Sequence, residues 1–147
     1  MLEELKVRDL IGNRDRVFFV DAKDTANVAA LKLRNFKVRT TGVMNEGEIV
    51  GVVGHSDFSD KVVALGKKPT EVKVSEIMST TLHTVSLDTT ILACMDLMNE
   101  NTISHLFILD DDGQYHGMVA WSDLQRRLVK ELKYQLKMAQ EYAFGRY

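Results

Sequence analysis

The stretch Gly51-Val52-Val53-Gly54-His55-Ser56-Asp57-Phe58 returns, position for position, as Gly117-Met118-Val119-Ala120-Trp121-Ser122-Asp123-Leu124. Two copies of so long a unit consume nearly all of a 147-residue chain. The chain must therefore act with two repeats and one C-terminal helix. A single unit of that size buries too little surface to stand comfortably alone, and two packed together cover each other.

The second copy is read as follows. Thr84-Val85-Ser86 is a short strand, and Asp88-Thr89 opens a helix with Asp88 as its N-cap. Ile91, Leu92, Met95 and Met98 recur at helical spacing and give that helix an apolar face. Ile103 to Leu109 and Tyr115 to Ala120 are two strands joined by the turn Asp110-Asp111-Asp112-Gly113. Ser122 then caps a second helix, and Gln125 completes a Ser-x-x-Gln capping box. The first copy repeats the order. It has an extended Val17 to Val20, a helix opened by Asp24-Thr25, a strand Val38 to Met44, a turn Asn45-Glu46-Gly47 and a strand Ile49 to Val53. A helix capped by Ser56 then runs through Val62, Val63 and Leu65. The expected fold class is α+β: two β-α-β-β-α units related by a pseudo-twofold axis, with a long C-terminal helix. The expected boundaries are 1–66, a linker 67–73 holding the only proline, 74–130, and a helical extension 131–147.

Composition removes several function classes. No apolar run approaches the roughly 20 residues of a membrane span. The acidic N-terminus lacks a signal-peptide pattern, which suits a cytoplasmic protein. One cysteine, Cys94, forms neither an intrachain disulfide nor a cysteine-rich zinc site, and on its helix it reads as a small buried hydrophobe. The four histidines lack ligand spacing, and the acidic turn lacks the alternating ligands and closing glutamate of a calcium loop. No metal site, catalytic residue or required cofactor is expected, and the chain is not expected to be an enzyme. Residues 1–73 carry 13 Lys and Arg against 11 Asp and Glu, whereas residues 74–147 carry 6 against 10. No Lys or Arg lies between Val74 and Asp123. The body of the second repeat thus offers no cation to an anionic ligand. With this mixed charge and no basic stripe, neither nucleic acid nor membrane is an expected partner.

Several residues together carry a family resemblance. They are Asp88-Thr89-Thr90 with Ala93 and Met98, Ile103-Ser104-His105, Asp110 to Gly113, and Gly117-Met118-Val119 with Ser122-Asp123. In the first copy they are Asp24-Thr25, Ala29, Val38, Gly47, Gly51 and Ser56-Asp57. In that order, twice over, the chain resembles a tandem pair of CBS domains, the module named after cystathionine β-synthase, from about Val7 to Lys130. The resemblance implies a regulatory module that binds adenosyl ligands in two clefts between the repeats and pairs into a disc-shaped homodimer. AMP, ATP, NAD(P)H and S-adenosylmethionine are the ligands it brings forward, and an unknown protein partner would receive the signal in trans.

The resemblance also implies site residues. Asp57 and Asp123 would each hold a ribose, since one carboxylate accepts hydrogens from two adjacent hydroxyls. A second reading is that each offsets a helix dipole and nothing more. Ser56, Ser122, Gly54 and Ala120 adjoin them. Nucleotide-binding members carry a Thr or Ser three residues before the Asp, and Gly54 and Ala120 have no hydroxyl there. Thr84, Ser104 and His105 would flank a base or phosphate. Arg126 or Arg127, with Arg39 next, would supply the phosphate's cation. Two functions stay open at this point: an adenosyl-ligand sensor with at most one tight cleft, or a ligand-free dimerisation scaffold. The C-terminal stripe Leu128, Leu132, Leu136, Ala139 and Ala143 is expected to pack on Leu2 and Leu5 or on a second copy.

Overall fold

The computed structural model describes residues 2–12 and 17–145. Each repeat is a three-stranded sheet. In the first, β1 (Phe19–Asp21) lies parallel to β2 (Thr40–Asn45), which pairs antiparallel with β3 (Glu48–Gly54). In the second, β4 (Thr84–Ser86), β5 (His105–Leu109) and β6 (Tyr115–Ala120) repeat that order and register. A parallel neighbour needs a crossover connection, and a helix supplies it in each case: α2 (Ala26–Phe36) and α5 (Ile91–Asn101). The expected β-α-β-β-α order is present in both halves, with pseudo-twofold related sheets.

Helix starts differ from the sequence reading. Thr90, not Asp88, caps α5, and its hydroxyl accepts from the Ala93 amide at 3.1 Å. Helix α3 (His55–Phe58) starts from Gly54, and α6 (Trp121–Ala143) starts from Ala120. Ser56 and Ser122 therefore sit at the second helical position and cap nothing; Gln125 completes no box. The Asp does that work. Asp57 Oδ2 accepts the Gly54 N–H at 2.9 Å, and Asp123 Oδ2 accepts the Ala120 N–H at 3.1 Å. A carboxylate is a stronger acceptor than a hydroxyl, so it takes the orphan donor of the turn. The first repeat's second helix is also shorter than expected: α3 passes into a π-helical turn at Ser59–Val63, and only Val62 of that stretch is buried.

The core divides into two clusters whose membership crosses the repeats. Short helix α4 (Val74–Ile77) and Val72 belong to the first cluster, with Val20, Leu33, Val43 and Val53. Short helix α1 (Val7–Ile11) supplies Val7 to the second, with Ile91, Leu106, Ile108 and Leu124. Backbone bonds pin each segment in matching fashion. The Val7 amide donates to the Thr89 carbonyl at 2.9 Å and the Ile91 amide to the Leu5 carbonyl at 2.8 Å. The Val74 amide donates to the Asp24 carbonyl at 2.8 Å and the Ala26 amide to the Val72 carbonyl at 2.7 Å. Val7 and Val74 are fully buried.

The two halves meet through β2 and β6. Gly42 makes room for that meeting, because a Cβ there would lie 2.6 Å from the Tyr115 hydroxyl. Helix α6 touches α1 and the turn at Leu2–Glu4, as the apolar stripe led one to expect. Beyond Leu128 its apolar side remains open, with Leu132 and Leu136 about half exposed.

Candidate functional site

The turn from α2 into β2 and the turn from α5 into β5 are built alike. Lys37 and Thr102 each end their helix in the left-handed conformation, at φ 60° and 53°. The next amide returns to the helix: Val38 to the Leu33 carbonyl, Ile103 to the Met98 carbonyl. This geometry aims the following residues across the seam at the other repeat's Asp. Two clefts result.

The larger, about 650 Å³, joins Lys37, Arg39 and Thr40 of the first repeat to Ala120, Ser122 and Asp123 of the second, with Phe18 and Tyr115 as aromatic walls. The smaller, about 360 Å³, joins Thr102, Ser104 and His105 of the second repeat to Gly54, Ser56 and Asp57 of the first. Thr40, His105 and Met118 line both. Because the clefts exchange partners, the charge asymmetry of the chain is inverted in space. The repeat whose body lacks cations presents Asp123 to the first repeat's Lys37 and Arg39. Asp57 faces Thr102 and Ser104, and no Lys or Arg lines that cleft among the described residues.

The two aspartates differ in freedom. Asp57 is 17% exposed, and its Oδ1 accepts from Lys61 Nζ at 2.9 Å. Asp123 is 39% exposed, and among the described residues its Oδ1 has only the exposed Arg126 guanidinium at 3.6 Å. His105 stands between the clefts with its Nδ1 2.9 Å from the Ser104 hydroxyl. Burial lowers its pKa from the ordinary 6.5, and the charge of Asp123 works against that shift.

Other expected residues are placed elsewhere. Arg126 and Arg127 line a separate hollow of about 270 Å³ with Leu10 and Lys130, which meets the larger cleft only at Asp123. The Arg127 guanidinium donates to the Asp9 carbonyl at 3.4 Å. Thr84 is exposed on β4 and lines neither cleft. Gly54 is glycine for a packing reason, since a Cβ would meet the Thr40 hydroxyl at 2.8 Å and the Arg39 carbonyl at 3.1 Å. Lys37, Phe18 and Tyr115 were not expected. Lys37 was legible as the charged counterpart of Thr102, which ends the matching helix of the second copy. Among the described residues no three His, Cys, Asp or Glu gather to hold a metal ion. Cys94 is buried, and that burial pushes its thiol up to about 11. No described helix is long and apolar enough to cross a membrane.

Residues 74–130 match the CBS domain family. The mitochondrial CBS domain-containing protein CBSX3 of Arabidopsis thaliana is 30% identical over 129 residues, 84% of this chain. The chain spans 62% of that relative's length. Among solved structures, a crystal structure of a CBS domain superposes with TM-score 0.76 at 29% identity, covering 84% of this chain and 97% of that one. The CBS domain of a bacterial CNNM/CorC family Mg2+ transporter, solved in complex with ATP, has TM-score 0.76 at 19% identity over 87% of this chain and 89% of that one. This last likeness is one of fold.

Proposed function

The chain belongs to the CBS-domain family, and on that premise we propose that it is a regulatory module whose larger cleft binds an adenosyl nucleotide. The carrying observation is the composite lining: Asp123 from one repeat, whose Oδ1 among the described residues meets only the exposed Arg126, and two cations from the other, Lys37 and Arg39. In this reading the Asp123 carboxylate accepts from the ribose hydroxyls, Phe18 and Tyr115 offer apolar surface to the base, and Arg39 with Lys37 meets the phosphate. A volume of about 650 Å³ falls within the range that takes ligands of nucleotide size. The ATP held by the transporter CBS domain supports the ligand class by analogy of fold. Arg126 and Arg127 move to a secondary place, because their hollow lies on the far side of Asp123.

The module performs no chemistry of its own. A nucleotide spanning both repeats ties them together, and the partner that prefers the tied form feels the ligand in trans. A second copy covers the open side of α6, giving a homodimer. The scaffold reading draws on one observation, the missing hydroxyls at Gly54 and Ala120. A thermal-shift panel of AMP, ATP, NAD(P)H and S-adenosylmethionine separates the two: a saturable shift with at least one supports the sensor, and no shift with any refutes it.

A further inference from the structure

Lys61 and Arg127 occupy equivalent places, each one helical turn after the Asp of its repeat. Each reaches toward the short helix that arrives from elsewhere in the chain. Arg127 donates to the Asp9 carbonyl of α1 at 3.4 Å. Lys61 donates to the Ile77 carbonyl of α4 at 2.8 Å. Beyond that the two differ. The Lys61 ammonium also donates to Asp57 Oδ1 at 2.9 Å, while Arg127 extends past Asp123 and leaves its Oδ1 to an exposed contact with Arg126.

An ammonium is a compact charge with three donors, so one Nζ serves a carboxylate and a carbonyl at once. The Gly54 amide holds Asp57 Oδ2 at 2.9 Å. Both oxygens of Asp57 are therefore engaged from within the chain, and the carboxylate is screened to 17% exposure. The remaining lining, including Ser56, Ser79, Thr81, Thr102 and Ser104, is rich in hydroxyls, with room of about 360 Å³. Space and polar partners for a nucleoside are present; the free carboxylate is what the cleft lacks.

We infer that Lys61 is the residue that restricts the module to one ligand, acting as a built-in counter-ion that occupies Asp57 in place of a ribose. The inference rests on the reading that these aspartates hold ribose, and it predicts that removing the ammonium opens a second site. That site takes an uncharged nucleoside, because no Lys or Arg lines the smaller cleft to receive a phosphate among the described residues.

Isothermal titration with adenosine tests this in an Asp123→Asn background, where the larger cleft is weakened. Asp123→Asn alone is expected to bind adenosine only weakly and independently of Asp57. Asp123→Asn with Lys61→Met is expected to gain one equivalent, and adding Asp57→Asn is expected to abolish that gain. Lys61→Gln, which removes the charge and keeps a donor, replaces Lys61→Met if the latter melts below the parent. A Lys61 variant that gains no Asp57-dependent equivalent overturns the inference. So does Asp57-dependent binding while Lys61 is intact. Failure of the underlying reading shows separately, as AMP binding to the native protein that is absent or indifferent to Asp123.

Discussion

Replacing Asp123 by Asn removes the charge while keeping an acceptor for the Ala120 amide, 3.1 Å away in the native protein. Stability without ligand should then fall little, and the effect should appear in binding. A hydrogen bond to a charged group contributes about 1.5–3 kcal/mol. With the Asn oxygen held by the Ala120 amide, its NH2 faces the two ribose hydroxyls, whose bonds lose the charge and roughly half of their joint contribution, so about 1.5–3 kcal/mol is expected. That is a loss of roughly tenfold to hundredfold in affinity. At AMP equal to 100 times the native Kd, ligand adds about 2.7 kcal/mol to the native protein. At the same concentration the variant gains about 1.4 kcal/mol after a tenfold loss, and about 0.4 kcal/mol after a hundredfold loss. Since 1 kcal/mol moves Tm by about 2–4 °C in domains of 150–250 residues, the AMP shift should drop from several degrees to one or a few. Differential scanning fluorimetry across an AMP titration reads this directly. Asp57→Asn should leave the shift intact, and Arg39→Ala should lower the affinity for AMP toward that for adenosine. A full shift in Asp123→Asn, or an equal loss in Asp57→Asn, refutes the assignment of the larger cleft.

Three further outcomes are expected. Val7→Ala deletes two fully buried carbons from the second cluster, about 1.6 kcal/mol of transfer free energy plus a cavity term, or roughly 2–3 kcal/mol in urea melts. In double mutants it should couple to Ile91→Val and add independently with Leu33→Ala; the reverse pattern would contradict the crossed packing. His105 binds its proton less readily folded than unfolded, because burial lowers its pKa from 6.5. Its contribution is thus fully present above that value and lost as pH falls from there through the lower folded value. Urea melts of native and His105→Gln protein between pH 7.5 and 5 should show the smaller acid loss in the variant, and equal losses would rule the account out. Truncation after Lys130 should leave a folded protein that sediments as a monomer, whereas an unchanged assembly state would show that α6 is no dimer contact.

The duplicated β-α-β-β-α order was legible because strand alternation, helical spacing and the Gly and Asp turns agree in both copies. Asp57 and Asp123 were legible from the shared Ser-Asp. Their mode of capping was not. A Ser beside an Asp invites the hydroxyl cap, but Gly54 and Ala120 cannot cap with a side chain, so the carboxylate three residues on reaches back. Of the cations that line the larger cleft, Arg39 was among the expected residues and Lys37 was not, for a topological reason. Proximity in sequence favoured Arg126 and Arg127, whereas the left-handed turn at Lys37 brings cations from the other repeat. A further repeat carried the crossed packing: Lys6-Val7-Arg8-Asp9-Leu10-Ile11 against Lys73-Val74-Ser75-Glu76-Ile77-Met78. In each the acidic side chain closes on the Lys backbone amide, at 3.0 Å for Asp9 and 2.6 Å for Glu76. This pair of matching segments stands ahead of each unit rather than inside it, and so is easily passed over as linker.

The placement of Val7 and Val74 changes how the chain divides. The shortest stretch holding the first buried cluster runs from Val20 to Ile77, and the shortest holding the second runs from Val7 to Leu124. The second span contains the first entirely. By composition the halves stand end to end, but by folding one is an insertion within the other. The inner half is a continuous piece of polypeptide, whereas the outer half is discontinuous, and no single cut separates it from its guest.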